Sequence, residues 1–241
     1  MKIEPAITPE PLVTSWSFSA IKQRQRCAFM YYLRRIQREP GPPEDPDAPN
    51  VRGSRIHKSA EDYIKGEVDI LNADLCRYRD HFKILRTEFH KGHATVEQPW
   101  YFDENWEQAT AENYVGIVIC DAVVYNPARP IMRVIDFKTG KRYGNEITHT
   151  QQVQLYAIAA FMLHPEVEFI ETELWYIDHP DKRITRIISR EQLPTLMKFW
   201  QMEIDKHLSC ISFPATPTKG KCKWCDYGWA KTNVCPYSTS D

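Results

Sequence analysis

The sequence predicts an α/β fold in which a central mixed β-sheet is flanked by helices. Runs rich in β-branched and aromatic residues at 95–102, 117–124, 131–137 and 169–178 read as strands. Segments with helical spacing lie before, between and after them, and the order of three strands, a helix and a further strand gives a mixed sheet with helices on its faces. With 241 residues and a hydrophobic content of 42% the chain can build one full core, so a single domain is expected over 1–241, its core at about 53–208.

In chain order, Ser17 or Ser19 can cap a helix running to about residue 36, with Ile21, Phe29, Tyr32, Leu33 and Ile36 available for packing. The five prolines of residues 39–50 then break any helix and predict a solvated, extended loop. A helix over about 53–65 places His57 and Glu61 on one face. Residues 70–91 read as another helix, with Cys76 a packing residue. The strand at 95–102 carries Glu97, read as a half-exposed strand acid, and a polar turn at 103–113 follows. The runs 117–124 and 131–137 are separated by Asn126, Pro127 and Pro130, which makes them adjacent strands joined by a turn. Helix 148–163 carries Gln152 and Tyr156 on one face and Leu155, Ala159 and Met162 on another, and a closing helix spans 190–208.

The chemistry centres on the strand pair. Asp121 interrupts the first run, and Asp136 and Lys138 close the second with Phe137 between them. Because strand side chains alternate, Asp136 and Lys138 share one face, and Ile135 and Phe137 point into the opposite layer. A carboxylate in an apolar strand costs several kcal/mol unless paired or metal-bound. One explanation is a magnesium or manganese ion held by Asp121 and Asp136, with Lys138 beside the attacking water. The other is an Asp–Lys salt bridge at a strand end.

Composition narrows the class. The chain has no apolar run approaching about 18 residues, and its start, MKIEPAITPEP, lacks a basic region followed by an apolar one, so neither a membrane span nor a signal peptide is expected. A soluble, cytoplasmic protein is the expectation. The net charge of −1 gives no global sign of nucleic-acid binding, but residues 15–38 hold no acid. Lys22, Arg24, Arg26, Arg34, Arg35 and Arg38 lie there among Phe29, Tyr31 and Tyr32, and Lys219, Lys221, Lys223 and Lys231 surround Trp224, Tyr227 and Trp229. Such patches can track a phosphate backbone and stack on bases, or form ordinary solvated helix faces. Seven cysteines, an odd number, point to metal ligands and free thiols rather than a disulfide framework. Cys222-x-x-Cys225 suits chelation of zinc or iron, and Cys235 follows. Reduced free thiols are the alternative, and Cys120 and Cys210 read as core thiols.

Asp121, followed by Asp136-Phe137-Lys138-Thr139-Gly140-Lys141, resembles the PD-(D/E)XK nuclease superfamily, specifically its RecB-type branch. Ser17-x-Ser19 leading to Cys27, Gly53-x-x-x-His57, Gln152-x-x-x-Tyr156 and the C-terminal cysteines recur in the branch's order, covering most of 15–236. One departure is that Gly116 stands five residues before Asp121, where the branch commonly shows Gly-x-x-Asp. The resemblance implies a restriction-endonuclease-like core. It implies that His57 and the Phe137 carbonyl join Asp121 and Asp136 around Mg²⁺ or Mn²⁺, and that Gln152 and Tyr156 orient DNA or the catalytic lysine. As in the CRISPR adaptation nuclease and the AddB-type helicase-nuclease, Cys27 would complete a [4Fe-4S] site with Cys222, Cys225 and Cys235, zinc being the alternative. That would make residues 209–241 a small lobe packed on the N-terminal helix at 15–38. The implied activity is a metal-dependent DNA exonuclease acting on single strands or duplex ends in phage or bacterial recombination or repair. A CRISPR adaptation nuclease, or a non-catalytic zinc-containing DNA-binding module of the same fold, are the alternatives.

Overall fold

The computed structural model describes residues 12–140, 144–179 and 183–240, so the N-terminal start and Lys141 lie outside the described residues. By contact density the chain divides into two compact units, Glu44–Phe199 and Met1–Pro43 with Trp200–Asp241.

The larger unit is built on the predicted mixed sheet. Strands β1 (Ala94–Val96), β4 (Ala122–Tyr125), β5 (Ile131–Lys138), β6 (Phe169–Tyr176) and β7 (Ile184–Ser189) lie in the order β1-β4-β5-β6-β7. β5 and β6 run parallel and the other neighbours antiparallel. A parallel pair needs a long crossover, which here is helix α5 (Glu146–Leu163). Residues 155–161 of α5 are all buried, as expected of a helix whose sequence is apolar nearly all round. Helices α3 (Pro49–Lys65) and α4 (Arg79–His90) cover the other face. There Ile56, Tyr63, Phe82, Phe137 and Trp175 form one cluster. Phe82 sits 5.2 Å from Phe137 and 5.5 Å from Trp175 by ring centroids, so Phe82→Ala is expected to cost about 3–5 kcal/mol, read as a lowered urea midpoint.

Several boundaries differ from expectation. Each of the runs 95–102 and 117–124 splits in two, because β2 (Pro99–Phe102) and β3 (Gly116–Ile119) leave the main sheet and pair as an antiparallel ribbon. The segment 70–91 is a 3-10 turn, Ala73–Tyr78, followed by α4. α3 starts at Pro49, where proline's missing N–H costs nothing in the first turn. Strand β7 escaped the sequence reading, since its exposed Ile187 and Arg186 blur the alternation.

In the smaller unit, the helix expected over 17–36 is interrupted. Ser17 caps α1 (Phe18–Arg26) by accepting from the Ala20 N–H at 3.2 Å, and the backbone then turns extended at Cys27 before α2 (Ala28–Tyr31) and a π-helical turn, Tyr32–Ile36. Backbone groups freed at the break find distant partners: the Thr216 hydroxyl donates to the Arg26 carbonyl and the Phe29 N–H to the Pro214 carbonyl. Helical periodicity carries no record of such contacts. Helix α6 (Leu193–Leu208) leads to the short α7 (Lys219–Lys223), and the cysteine lobe packs on the N-terminal helices around Tyr31, Leu208 and Phe213. No helix among the described residues is long and apolar enough to cross a membrane.

Candidate functional site

Two kinks lying side by side shape the site. β1 pairs with β4 as far as Val96↔Ala122, and β2 pairs with β3 from Pro99↔Ile119, leaving Glu97 and Gln98 opposite Cys120 and Asp121. Glu97 sits in the left-handed region at φ 50°, a conformation that costs a non-glycine residue about 1–2 kcal/mol and needs surrounding structure to hold it. The Glu97 N–H donates to the Asp121 carbonyl at 3.3 Å, fastening one kink to the other. Both acids thereby leave the strand alternation. Glu97 was read as an ordinary strand acid, and the structure instead turns it toward His57. Pro99 is the signal in the sequence, because proline inside an apparent strand marks an edge or a break.

His57 reaches the kinks from α3. Its Nδ1 lies 3.2 Å from Asp121 Oδ1 and 3.6 Å from Glu97 Oε1. One ligand atom from each of the three residues lies within 4.8 Å of the others. The other Asp121 oxygen, Oδ2, accepts the Phe137 N–H. In an extended strand the N–H and C=O of one residue point to the same edge, so the Phe137 carbonyl also faces the Asp121 side. Burial alone would lower the His57 pKa, but its hydrogen bonds to Asp121 and Glu97 raise it to about 10.

Asp136 and Lys138 share one face, as alternation requires. Asp136 is 1% exposed, and Lys138 Nζ stands 2.6 Å from its Oδ2, an ion pair outside hydrogen-bond geometry. Burial pushes the Asp136 carboxyl up, against the pull of Lys138. Asp136 is not one of the three residues that share ligand distance: its Oδ2 faces the lysine. Lys138 Nζ also donates to Gln152 Oε1 at 2.7 Å, and Gln152 Nε2 donates to the Tyr156 hydroxyl at 2.6 Å. Burial holds the Tyr156 phenol well above its ordinary pKa, hence neutral.

The donor set suits a divalent cation. Two carboxylates and an imidazole on three separate segments, with a backbone carbonyl alongside, are hard oxygen ligands plus one nitrogen, the chemistry of magnesium or manganese.

In the smaller unit, the basic residues are partly engaged. Arg24 Nε donates to His207 Nδ1 at 3.1 Å, Arg26 to the Lys221 carbonyl, Arg35 to Gln23 and Lys22 to Gln25, and Arg34 pairs with Asp226 at 3.0 Å. The basic patch expected at 22–38 is thus partly engaged in the protein itself, Arg26 and Arg34 bonding to the 209–241 lobe. Cys27, Cys222, Cys225 and Cys235 line one cavity, and none of the four is in a disulfide. Burial pushes the Cys225 and Cys235 thiols up, and neighbouring thiols add to it.

No curated protein matches the chain. Two solved structures resemble it along most of its length. A protein from Eubacterium rectale described as a candidate exonuclease is 13% identical, covering 94% of this chain and 92% of its own, with a TM-score of 0.49. The protein SSO0001 is 15% identical, covering 91% of this chain and 85% of its own, with a TM-score of 0.42. Residues 15–236 match the model of the PD-(D/E)XK nuclease superfamily, so the likeness first drawn from Asp136-Phe137-Lys138 extends over nearly the whole chain, and this protein belongs to that superfamily.

Proposed function

We propose that the chain is a divalent-metal-dependent deoxyribonuclease that hydrolyses phosphodiester bonds from single strands or duplex ends. The observation that carries this reading is the set of His57, Glu97 and Asp121, with ligand atoms within 4.8 Å of one another, beside a buried Asp136–Lys138 pair. His57, Glu97 and Asp121 would hold the cation, with Asp136 and the Phe137 carbonyl at its border. A cation there would neutralise charge on phosphate oxygens and lower the pKa of water.

The chain's own residues account for the rest. Lys138 has three N–H donors; Gln152 takes one and Asp136 holds the charge, which leaves the ammonium a donor for a non-bridging phosphate oxygen as negative charge builds there. Gln152 aims that ammonium, and Tyr156 fixes the amide's orientation by accepting its N–H. The exonucleolytic action rests on the resemblance to the RecB-type branch of the superfamily.

End-labelled single- and double-stranded DNA, incubated with Mg²⁺, with Mn²⁺ and with a chelator, tests the reading. Metal-dependent release of short products is expected, with covalently closed circles left intact. Failure to cut any of these substrates with either metal defeats it. Glu97→Gln is expected to weaken Mn²⁺ binding by about tenfold or more, since it removes a charged ligand, and titration calorimetry reads this directly.

The same reading assigns Cys27, Cys222, Cys225 and Cys235 to an iron–sulfur cluster, supported by four thiols on one cavity wall. Anaerobically prepared protein should be brown and contain iron. A colourless protein with stoichiometric zinc overturns the assignment.

A further inference from the structure

Asp178, just past the end of β6, is a junction of hydrogen bonds in the larger unit. Arg52, in the first turn of α3 and five residues before His57, grips its carboxylate in a fork, Nη2 to Oδ1 at 2.8 Å and Nη1 to Oδ2 at 3.0 Å. The same Oδ2 accepts the Gly140 N–H at 2.7 Å, two residues beyond Lys138. The Asp178 carbonyl accepts from Arg77 at 2.8 Å, and Arg52 reaches Asp74 at 3.2 Å, so both members of the fork are braced from behind. Close by, the Ile177 N–H donates to the Lys138 carbonyl at 2.9 Å.

The geometry around Gly140 depends on this contact. Gly140, whose N–H is held by Asp178, has φ +86°, a left-handed conformation that ends the extended course of β5 at this contact. Gly53 sits so close to Thr139 that a Cβ on it would stand 3.1 Å from the threonine hydroxyl. The start of α3 and the end of β5 therefore meet with a glycine on one side and a left-handed turn on the other, and the Asp178 carboxylate bridges the two segments.

We infer that Asp178 and Arg52 are positioning residues of the candidate site, holding His57 on α3 in register with Asp136 and Lys138 on β5. This rests on the nuclease reading above. Arg52 and Asp178 side chains are 33% and 28% exposed, and partly solvated pairs add little to stability. Their geometric effect is the larger one. A bidentate Arg–carboxylate pair fixes direction as well as distance, and displacing a reacting group by about 1 Å can cost roughly a hundredfold in rate.

The test compares wild type, Asp178→Asn and Arg52→Gln in the full chain. Single-turnover cleavage of end-labelled DNA is expected to slow by about 30- to 100-fold in both variants. DNA affinity should stay within about twofold of wild type and the melting temperature within about 5 °C, because neither residue anchors the core. Two readouts are independent of cleavage: amide exchange at Gly140 should accelerate while the β5–β6 amides stay protected, and the His57 ring resonances should shift. A cleavage rate within threefold of wild type overturns the inference, as does a loss of rate that merely follows melting temperature and DNA affinity. If wild type cuts no DNA, the nuclease reading fails alone: faster Gly140 exchange together with a shifted His57 ring still supports the clamp, and either signal staying unchanged overturns it.

Discussion

Replacing Lys138 by methionine is expected to slow metal-dependent DNA cleavage by about 10³-fold or more while leaving DNA affinity within a few-fold of wild type. Methionine keeps the length and apolar stem of lysine and removes the ammonium. Among the described residues, His57 is turned to Asp121 and Glu97 and does not pair with Asp136 in place of the lysine. The structural cost should be smaller than the catalytic one. Stripping the cation from an ionised carboxylate that is 1% exposed would cost about 3–5 kcal/mol, but burial already pushes the Asp136 carboxyl up, so it can take a proton instead. Single-turnover assays, with circular dichroism to show the variant folded, check this. Robust magnesium-dependent cutting by folded Lys138→Met protein would remove Lys138 from the reaction and with it the assignment of the Asp136–Lys138 pair.

Gly228→Ala is expected to disrupt the cysteine lobe. A Cβ at this position would stand 2.0 Å from the Cys222 carbonyl oxygen and 3.2 Å from that of Cys225, so the backbone carrying both thiols has to move. The turn is tied down on each side, the Gly228 N–H donating to the Cys225 carbonyl at 3.0 Å and the Asn233 N–H to the Gly228 carbonyl at 3.0 Å. Tyr227, next to it, is buried and donates its hydroxyl to the Glu39 carbonyl at 2.9 Å. One added methyl is thus expected to cost about 3 kcal/mol or more of stability and, on the proposed cluster assignment, to lower iron per chain well below wild type. Thermal unfolding and elemental analysis measure the two effects. A variant with wild-type melting temperature and iron content would mean that the tight turn is not what presents Cys222 and Cys225.

The sequence by itself determined the fold class and the faces of its central strand. In residues 131–138 the alternation is regular, so Asp136 and Lys138 on one side and Ile135 and Phe137 on the other follow from the two-residue period of a strand. The Gln152–Tyr156 spacing likewise dictated that both side chains share a helix face, and the fold brings Gln152 to Lys138. What the tertiary structure alone decided was where strands and helices break. Residues 95–102 and 117–124 look the same in composition whether they cross one sheet or two. They kink at Glu97 and Asp121, where the ladder between the two runs is interrupted although its register continues on either side, and only the β4 half goes on to pair with β5. The break at Cys27, completed by Thr216 and Pro214, and the fork between Arg52 and Asp178 likewise rest on distant partners. Periodicity reports which face of an element is apolar, whereas a kink or a clamp depends on hydrogen bonds between residues that lie tens to more than a hundred positions apart.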